Sequence, residues 1–205
     1  MSDDAHLLEH RVGGELLHDG WLDLRRDTVR LPDGTTTTRE YIRHSGAVAV
    51  VALLDDDATT PQLVLVRQFR YPVAKVLVEL PAGKLDAGET QLQCAMRELR
   101  EETGYAANEW AYGGELHNAP AYSDESIWIW FARGLVGGPT QLDAGEFVET
   151  VTMRSDALLA LSLAGDLPDV KTLVGLAWLQ QVLAGLRTLQ WQAAPANTAS
   201  ERRTQ

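Results

Sequence analysis

The stretch from Gly83 to Tyr105, GKLDAGETQLQCAMRELREETGY, constrains the fold of this chain more than any other segment. Three of its glutamates (Glu98, Glu101 and Glu102) fall within five residues near the end of one predicted helix. Such crowding of like charge destabilises a helix unless a positive charge lies among the carboxylates. A hard divalent cation with oxygen ligands is the simplest candidate for that charge.

The predicted helix has clear start and stop signals. Thr90, followed three residues later by Gln93, forms a capping box, and Gly104 is placed for a left-handed C-terminal cap. Apolar residues at intervals of three and four predict the face that packs on the core, and they are Leu92, Ala95, Met96 and Leu99. Glu98 and Glu102, one turn apart, are predicted to share a face beside that apolar stripe, with Glu101 next to them.

Strand-like segments surround this helix and set the fold class. The predicted strands cover residues 21–30, 35–43, 47–54, 62–70, 76–80, 111–116, 127–132 and 146–153. Two further helices are predicted at 156–163 and 169–186, and a turn-rich loop at 134–145. Since strands and helices do not alternate strictly, we expect an α+β or layered α/β/α domain with a β-rich N-terminal extension.

The chain divides into three predicted segments. Residues 1–45 form an N-terminal β-segment, 46–190 the main domain, and 191–205 a polar tail that is expected to be disordered. Residues 1 to about 15 are polar and predicted to be loosely held, and the next two strands would form a hairpin. An isolated hairpin is marginal in water, so this one must pack on its own core or on a second subunit.

Charge and composition exclude several kinds of partner. A net charge of −11 argues against nonspecific binding to a nucleic acid backbone or an anionic membrane. An anionic small substrate remains compatible if a metal or an arginine cluster reverses the local field. Cys94 is the only cysteine, which excludes an internal disulfide and a cysteine-based zinc site and fits a reducing, cytoplasmic location. The sequence has no apolar run of membrane-spanning length, and its N-terminus lacks the apolar region of a signal peptide.

Gly83, Glu89 and the run RELREETGY from Arg97 to Tyr105 resemble the Nudix box, GX5EX7REUXEEXGU with U apolar. Every specified position matches if Tyr105 is accepted as the final apolar residue. The resemblance extends over about residues 16–187 when the flanking segments are included. It implies a Nudix α/β/α sandwich and a hydrolase of diphosphate compounds.

Diphosphate hydrolysis gives a physical reason for the acidic helix. The phosphoryl charge must be neutralised and a water made nucleophilic, and Mg²⁺ binds carboxylates while leaving positions for substrate phosphate. Glu98 and Glu102 would hold Mg²⁺, or Mn²⁺ as an alternative, with Glu101 and the Ala82 carbonyl assisting. Gly83 would let the backbone approach closely enough for the Ala82 carbonyl to be a further ligand. Without the complete box, a solvated acidic face laced by arginines would be the better interpretation.

Segments outside the box resemble ADP-ribose pyrophosphatases. They are the RQFR run at 67–70, ELPAG at 79–83, Pro120 at 15 residues after Tyr105, APAYSDE at 119–125 and GEFVE at 145–149. Ala121 stands where that subfamily usually has glycine, a departure that bears on loop geometry. The resemblance implies cleavage of ADP-ribose to AMP and ribose 5-phosphate. It also implies a homodimer in which the N-terminal β-segment packs across the partner.

The same resemblance assigns roles to individual residues. Glu146 would be the general base, with Glu149 as the alternative, and Glu101 would assist catalysis. Arg97 is suited to pairing with Glu89, which would fix the loop against the helix. The expected substrate contacts are Arg39, Tyr41, Arg70, Glu79 and Glu125. Trp21 is a candidate for adenine stacking, although by residue type a core position is favoured.

Other residues fit structural roles, and other functions fit the same motif. Arg67 is expected to be structural, because its side chain points to the opposite strand face from Arg70. The residues interpreted as structural or solvent-exposed rather than catalytic are His44, His117, Trp128, Trp130 and Cys94. Another nucleoside diphosphate sugar, such as an ADP-sugar or GDP-mannose, remains an alternative substrate. A non-catalytic ADP-ribose sensor is disfavoured, because the glutamate set is intact and no DNA-binding module is added.

Overall fold

The structure is a computed structural model, and residues 4–142 and 145–195 are described. They group into two compact units. The N-terminal unit contains residues 4–46 and 117–126, and the main unit contains residues 47–116, 127–142 and 145–195. The first division falls after Gly46, next to the predicted boundary at residue 45, but the return of residues 117–126 to the N-terminal unit has no counterpart in the sequence prediction.

The N-terminal unit is built on an antiparallel sheet of three strands. These are β1 (His10–Asp19), β2 (Asp23–Arg30) and β3 (Thr36–Arg43), in that order. The expectation of a hairpin preceded by a loose segment was wrong for β1, which pairs with the whole of β2. Two register shifts interrupt β1, so its side chains lose the strict alternation by which a strand is recognised.

Residues 117–126 join the N-terminal unit through β3. Ile42 donates its backbone N–H to the Tyr122 carbonyl at 2.9 Å and accepts from the Asp124 N–H at 3.2 Å. The Asp124 carboxylate also accepts the backbone N–H of His44 at 2.7 Å. The APAYSDE segment is therefore held against the end of β3 by main-chain and side-chain hydrogen bonds.

The main unit contains a mixed sheet and three helices. The strands are β4 (Ala47–Leu53), β5 (Gln62–Arg70), β6 (Lys75–Glu79), β7 (Ala82–Lys84), β8 (Tyr105–His117), β9 (Ser126–Gly137), β10 (Val148–Arg154) and β11 (Trp191–Ala193). The helices are α1 (Gln91–Thr103), α2 (Ser155–Ala164) and α3 (Val170–Leu183). The strand order is β10-β5-β4-β9-β8-β11, with β6 paired to β5 and β7 paired to β4. Within the described ranges, no helix combines the length and the apolar character needed to cross a membrane.

Strand β4 lies at the centre of two apolar layers. Its residues Ala47, Ala49 and Val51 belong to a core cluster with Leu158 of α2 and Leu176 and Leu179 of α3. Alternate β4 residues, from Val48 to Ala52, pack in a second cluster with residues of α1. Because successive side chains of a strand point to opposite faces, the sheet lies between α1 and the α2–α3 pair. The predicted layered α/β/α arrangement is confirmed.

Several boundaries differ from the sequence prediction. Strands β8 and β9 are longer than expected, so the first part of the predicted 134–145 loop is strand. Strand β10 begins at Val148, which leaves Glu146 in the preceding loop. The tail predicted from residue 191 instead begins as β11, and residues 196–205 lie outside the described residues. Trp191 explains this start, because its ring packs under the guanidinium of Arg133 at 4.2 Å.

Candidate active site

Helix α1 presents the glutamates of the box, and its capping is as predicted. The Thr90 hydroxyl accepts the Gln93 N–H, the Gln93 side chain accepts the Thr90 N–H, and Gly104 ends the helix at φ 75°. The buried face is rotated from the expected stripe. Its buried residues are Cys94, Ala95, Leu99, Glu102 and Thr103, whereas Leu92 and Met96 are only partly buried. Glu102 therefore belongs to the buried face rather than lying beside it.

Glu102 is a buried carboxylate, with 3% of its surface exposed. Its Oε2 accepts the backbone N–H of Ala82 at 2.9 Å. Burial raises the pKa of Glu102 to about 8; the Ala82 hydrogen bond opposes this rise, and the charges of Glu98 and Glu146 add to it. A cation beside this group would favour its charged form.

Glu98 lies directly over Gly83. A Cβ at residue 83 would lie 1.9 Å from Glu98 Oε1 and 2.0 Å from its Cδ, so only glycine leaves room for the carboxylate. Burial raises the pKa of Glu98, although Arg97 opposes the rise. The glycine that opens the box thus permits close approach of a glutamate to the β7 backbone.

Arg97 binds three carboxylates of the box, and its predicted pairing with Glu89 is present. Its Nε and Nη2 donate to the two oxygens of Glu89 at 3.0 and 2.9 Å. Its Nη1 donates to Glu98 at 2.7 Å and to Glu101 at 3.1 Å. Nη2 also reaches the Lys84 carbonyl at 3.0 Å, so one side chain ties the loop to the helix.

The donors of this site fit a hard divalent cation of the Mg²⁺ type. Over residues 4–142 and 145–195, no group of three or more His, Cys, Asp or Glu side chains converges as a ready-made metal cluster. Glu98 and Glu102 nevertheless supply two largely buried carboxylates with raised pKa values. Mg²⁺ typically takes one or two protein carboxylates and keeps water or phosphate on its other positions. Ala82 contacts Glu102 through its backbone N–H, and metal binding by the Ala82 carbonyl stays a prediction.

The two candidate bases have different surroundings. Glu146 lies near enough to Glu98 and Glu102 for its charge to raise the pKa of both. Glu149, on β10, pairs with Arg67 on β5 at 2.7 Å. A cavity of about 420 Å³ adjoins these residues and is lined by Arg67, Phe69, Val76, Leu142, Glu146, Phe147, Val148 and Glu149. This arrangement favours Glu146 over Glu149 as the base.

Arg70, the last residue of β5, and Glu79, the last residue of β6, form an ion pair. Arg70 donates through Nε to Glu79 Oε1 at 2.8 Å and through Nη2 to Oε2 at 2.7 Å. Glu102 lies near enough to Arg70 for its negative charge to contribute to the raised pKa of that guanidinium, after Glu79. Arg70 therefore lies close to Glu102, one of the candidate metal ligands, whereas the Glu79 carboxylate is buried.

The remaining predicted substrate contacts belong to the N-terminal unit. Arg39 pairs with Glu9 at 2.5 Å, and the Tyr41 hydroxyl donates to Asp27 at 3.1 Å. Glu125 accepts a hydrogen bond from Asn118 at 3.0 Å. Each side chain thus has a protein partner within its own unit, and the substrate roles of Arg39, Tyr41 and Glu125 stay predictions.

The residues interpreted as non-catalytic agree only in part with their expected exposure. Trp128 and Trp130 pack against the core, and His117 is exposed, as expected. His44 was expected to be exposed, but only 12% of its side chain is exposed and its Nε2 lies 3.6 Å from Glu125. Trp21 is 79% exposed, so the preference for a core position was wrong. Cys94 is buried and its pKa is raised by that burial, which agrees with a thiol that is not a nucleophile.

Sequence reasoning missed Lys171, which contacts Glu79 from the first turn of α3. A lysine near the start of an amphipathic helix is ordinarily taken for a solvated residue. The available signal was the run Asp169-Val170-Lys171-Thr172, where a helix-capping aspartate precedes a lysine by two residues. Only the tertiary structure shows that this lysine points at a buried glutamate.

Comparison with known proteins identifies the family. A family model described as NUDIX domain matches residues 43–173, and one described as nucleoside diphosphate sugar hydrolase N-terminal domain matches residues 15–42. The chain therefore belongs to the Nudix hydrolase family, as the box predicted.

Individual relatives agree with this assignment. An ADP-ribose pyrophosphatase of Bacillus subtilis is 36% identical over 177 residues, which is 85% of this chain and 94% of the relative. A methanol dehydrogenase activator of Bacillus methanolicus is 38% identical over 159 residues, 77% of this chain and 84% of the relative. The crystal structure of an ADP compounds hydrolase shares the fold with a TM-score of 0.75 at 22% identity, over 87% of this chain and 96% of that one.

Proposed function

We propose that this protein hydrolyses the diphosphate bond of ADP-ribose to AMP and ribose 5-phosphate in the presence of Mg²⁺. One observation carries the proposal: Glu98 and Glu102 of the Nudix helix are two largely buried carboxylates, and Arg70 lies close to Glu102. Buried carboxylates are costly unless a cation compensates them, and a cation and an arginine are both suited to neutralising a diphosphate.

The residues of the main unit divide the chemistry among them. Glu98 and Glu102 would hold the cation, with Glu101 and the Ala82 carbonyl assisting. When bound, Mg²⁺ neutralises phosphoryl charge and promotes the formation of a nucleophile from water. Glu146 would orient the attacking water and accept its proton, because its charge acts on both Glu98 and Glu102, whereas Glu149 is ion-paired with Arg67.

Arg70 is suited to binding the diphosphate. Glu79 uses its Nε and Nη2, so the remaining nitrogen, Nη1, faces away from that pair. The Arg70 side chain is 41% exposed although its partner is buried. A guanidinium held along one edge and open along the other binds a phosphate oxygen without reorganising.

The choice of ADP-ribose rests on the likeness to ADP-ribose pyrophosphatases. The relative from Bacillus subtilis carries that name and aligns over most of both chains. Arg39, Tyr41 and Glu125 remain proposed substrate contacts, and a homodimer remains the proposed assembly. The second candidate is another nucleoside diphosphate sugar, because the family description that matches residues 15–42 names that class without specifying a base or sugar.

A substrate panel tests this function. The protein would be incubated with Mg²⁺ and ADP-ribose, other ADP-sugars, GDP-mannose and dinucleotides, and the products separated by anion-exchange chromatography. The highest kcat/KM is expected for ADP-ribose, with AMP and ribose 5-phosphate as products. A higher kcat/KM for GDP-mannose would establish the second candidate instead. Binding of ADP-ribose without turnover of any compound would reject a hydrolase and favour a sensor.

A further inference from the structure

A buried ionic network joins β5, β6 and α3 behind the proposed phosphate contact. Glu79, at its centre, is 1% exposed. Its Oε1 accepts from Arg70 Nε, and its Oε2 accepts from both Arg70 Nη2 and Lys171 Nζ. Because both oxygens are engaged and the residue is buried, any effect of Glu79 on a substrate would pass through Arg70 in this conformation.

Lys171 is held in place from the other side by the start of α3. Its Nζ donates to Asp169 Oδ1 at 2.9 Å, and its side chain is 10% exposed. Asp169 caps α3, because its Oδ2 accepts the backbone N–H of Thr172 at 3.0 Å. The Thr172 hydroxyl in turn accepts the backbone N–H of Leu80 at 2.8 Å, next to Glu79 in the chain. The first turn of α3 therefore contacts both the Glu79 side chain and the Leu80 backbone.

The charges of this network balance. Arg70 and Lys171 carry two positive charges, and Glu79 and Asp169 carry two negative ones. Removing Lys171 would leave Glu79 paired with Arg70 alone and would take away the ion-pair partner of Asp169. The uncompensated negative charge would draw Arg70 further toward Glu79 and would repel a diphosphate at the same place.

We propose that Lys171 is a positioning residue for phosphate recognition, holding Glu79 so that Arg70 presents Nη1 to the diphosphate. The inference rests on the proposed function, since it needs a diphosphate substrate. This role differs from that of a purely structural ion pair, because the effect of Lys171 on kcat/KM must pass through Arg70. The Asp169–Thr172 turn would then have an indirect role in phosphate recognition, because it holds Lys171 in place.

A double-mutant cycle tests this dependence with Lys171→Met, Arg70→Ala and the combined variant. Lys171→Met is expected to raise KM about tenfold and to change kcat by less than about threefold, because a phosphate clamp acts in the ground state and the transition state alike. In the Arg70→Ala background, the same substitution should change kcat/KM by less than about twofold. Equal effects of Lys171→Met in both backgrounds would overturn the proposal.

Two further variants separate position from stability. Lys171→Arg keeps the charge and should recover most of the lost kcat/KM. Arg133→Met removes an ion pair of 2.8 Å between β9 and Glu109 of β8, and it should lower the melting temperature without raising KM. If Arg133→Met raises KM as much as Lys171→Met does, general loosening explains both variants and the proposal fails.

Asp169→Asn keeps the proposal testable if Lys171→Met does not fold. Asparagine also caps helices well, so α3 keeps its start while Nζ loses its charged tether. The expected result is a smaller rise of KM that again disappears when Arg70 is alanine, and an unchanged KM would count against the proposal. A wild-type protein that hydrolyses no diphosphate would reject the proposed function, whereas an active wild type with an unaffected Lys171→Met variant would reject only this inference.

Discussion

Gly83→Ala should inactivate the site without unfolding the protein. The new Cβ would meet Glu98 Oε1 at 1.9 Å and Oε2 at 2.5 Å, so the carboxylate must retreat by about 1 Å or more to reach an ordinary contact distance. Gly83 does not lie in the left-handed region, and its strand can accept alanine. A displacement of about 1 Å in a catalytic site costs about a hundredfold in rate, so kcat should fall by roughly that factor.

The assay for Gly83→Ala has three readouts. AMP release from ADP-ribose gives kcat, calorimetric titration with Mn²⁺ or Mg²⁺ gives metal affinity, and thermal melting reports the fold. Gly137→Ala is the matched control, because its Cβ would meet Tyr105 at an ordinary 3.6 Å. If Gly83→Ala melts like the wild type and keeps kcat and metal affinity within about threefold, Glu98 is not a ligand at this position and the reasoning is refuted.

Three further outcomes are expected. EDTA should abolish turnover and added Mg²⁺ should restore it; turnover that survives chelation would exclude a metal-dependent mechanism. Glu102→Gln should abolish turnover. In EDTA, the melting temperature of the wild type should fall as pH rises from about 4.5 to about 8, because a carboxyl whose folded-state pKa is raised from 4.5 to about 8 contributes stability that is complete below about 4.5 and lost over this range. The Glu102→Gln variant should show a smaller fall. A wild-type melting temperature that does not fall over this pH range would show that Glu102 ionises normally. Glu146→Gln should lower kcat far more than it changes KM while Glu149→Gln does little, and the reverse pattern would make Glu149 the base.

Local signals in the sequence predicted the elements that build the site. Thr90, Gln93 and Gly104 act on the backbone within a few residues of themselves, so the limits of α1 follow from short-range chemistry. The uninterrupted apolar run of β4 likewise predicts a strand buried on both faces. The box itself predicted which glutamates would come together, because positions one turn apart on a helix are neighbours.

Features that depend on distant partners were not predictable in this way. Strand β1 is recognised only by its pairing with β2, since its register shifts remove the alternation. The burial of Lys171 depends on Glu79, which is 92 residues away along the chain. Glu102 was expected on the polar side of α1, and its burial follows from the approach of the Ala82 backbone on β7. In each case a long-range contact, rather than local propensity, decides the environment of the residue.

Part of the positive charge that the crowded carboxylates of α1 require comes from the same helix. Arg97 compensates Glu89, Glu98 and Glu101 with one permanently charged side chain. In zinc fingers, by contrast, the fold itself depends on an ion taken from solution. Because this helix carries part of its own charge compensation, we expect the fold to form without a divalent ion, and the proposed hydrolase activity would then follow the supply of that ion without a refolding step.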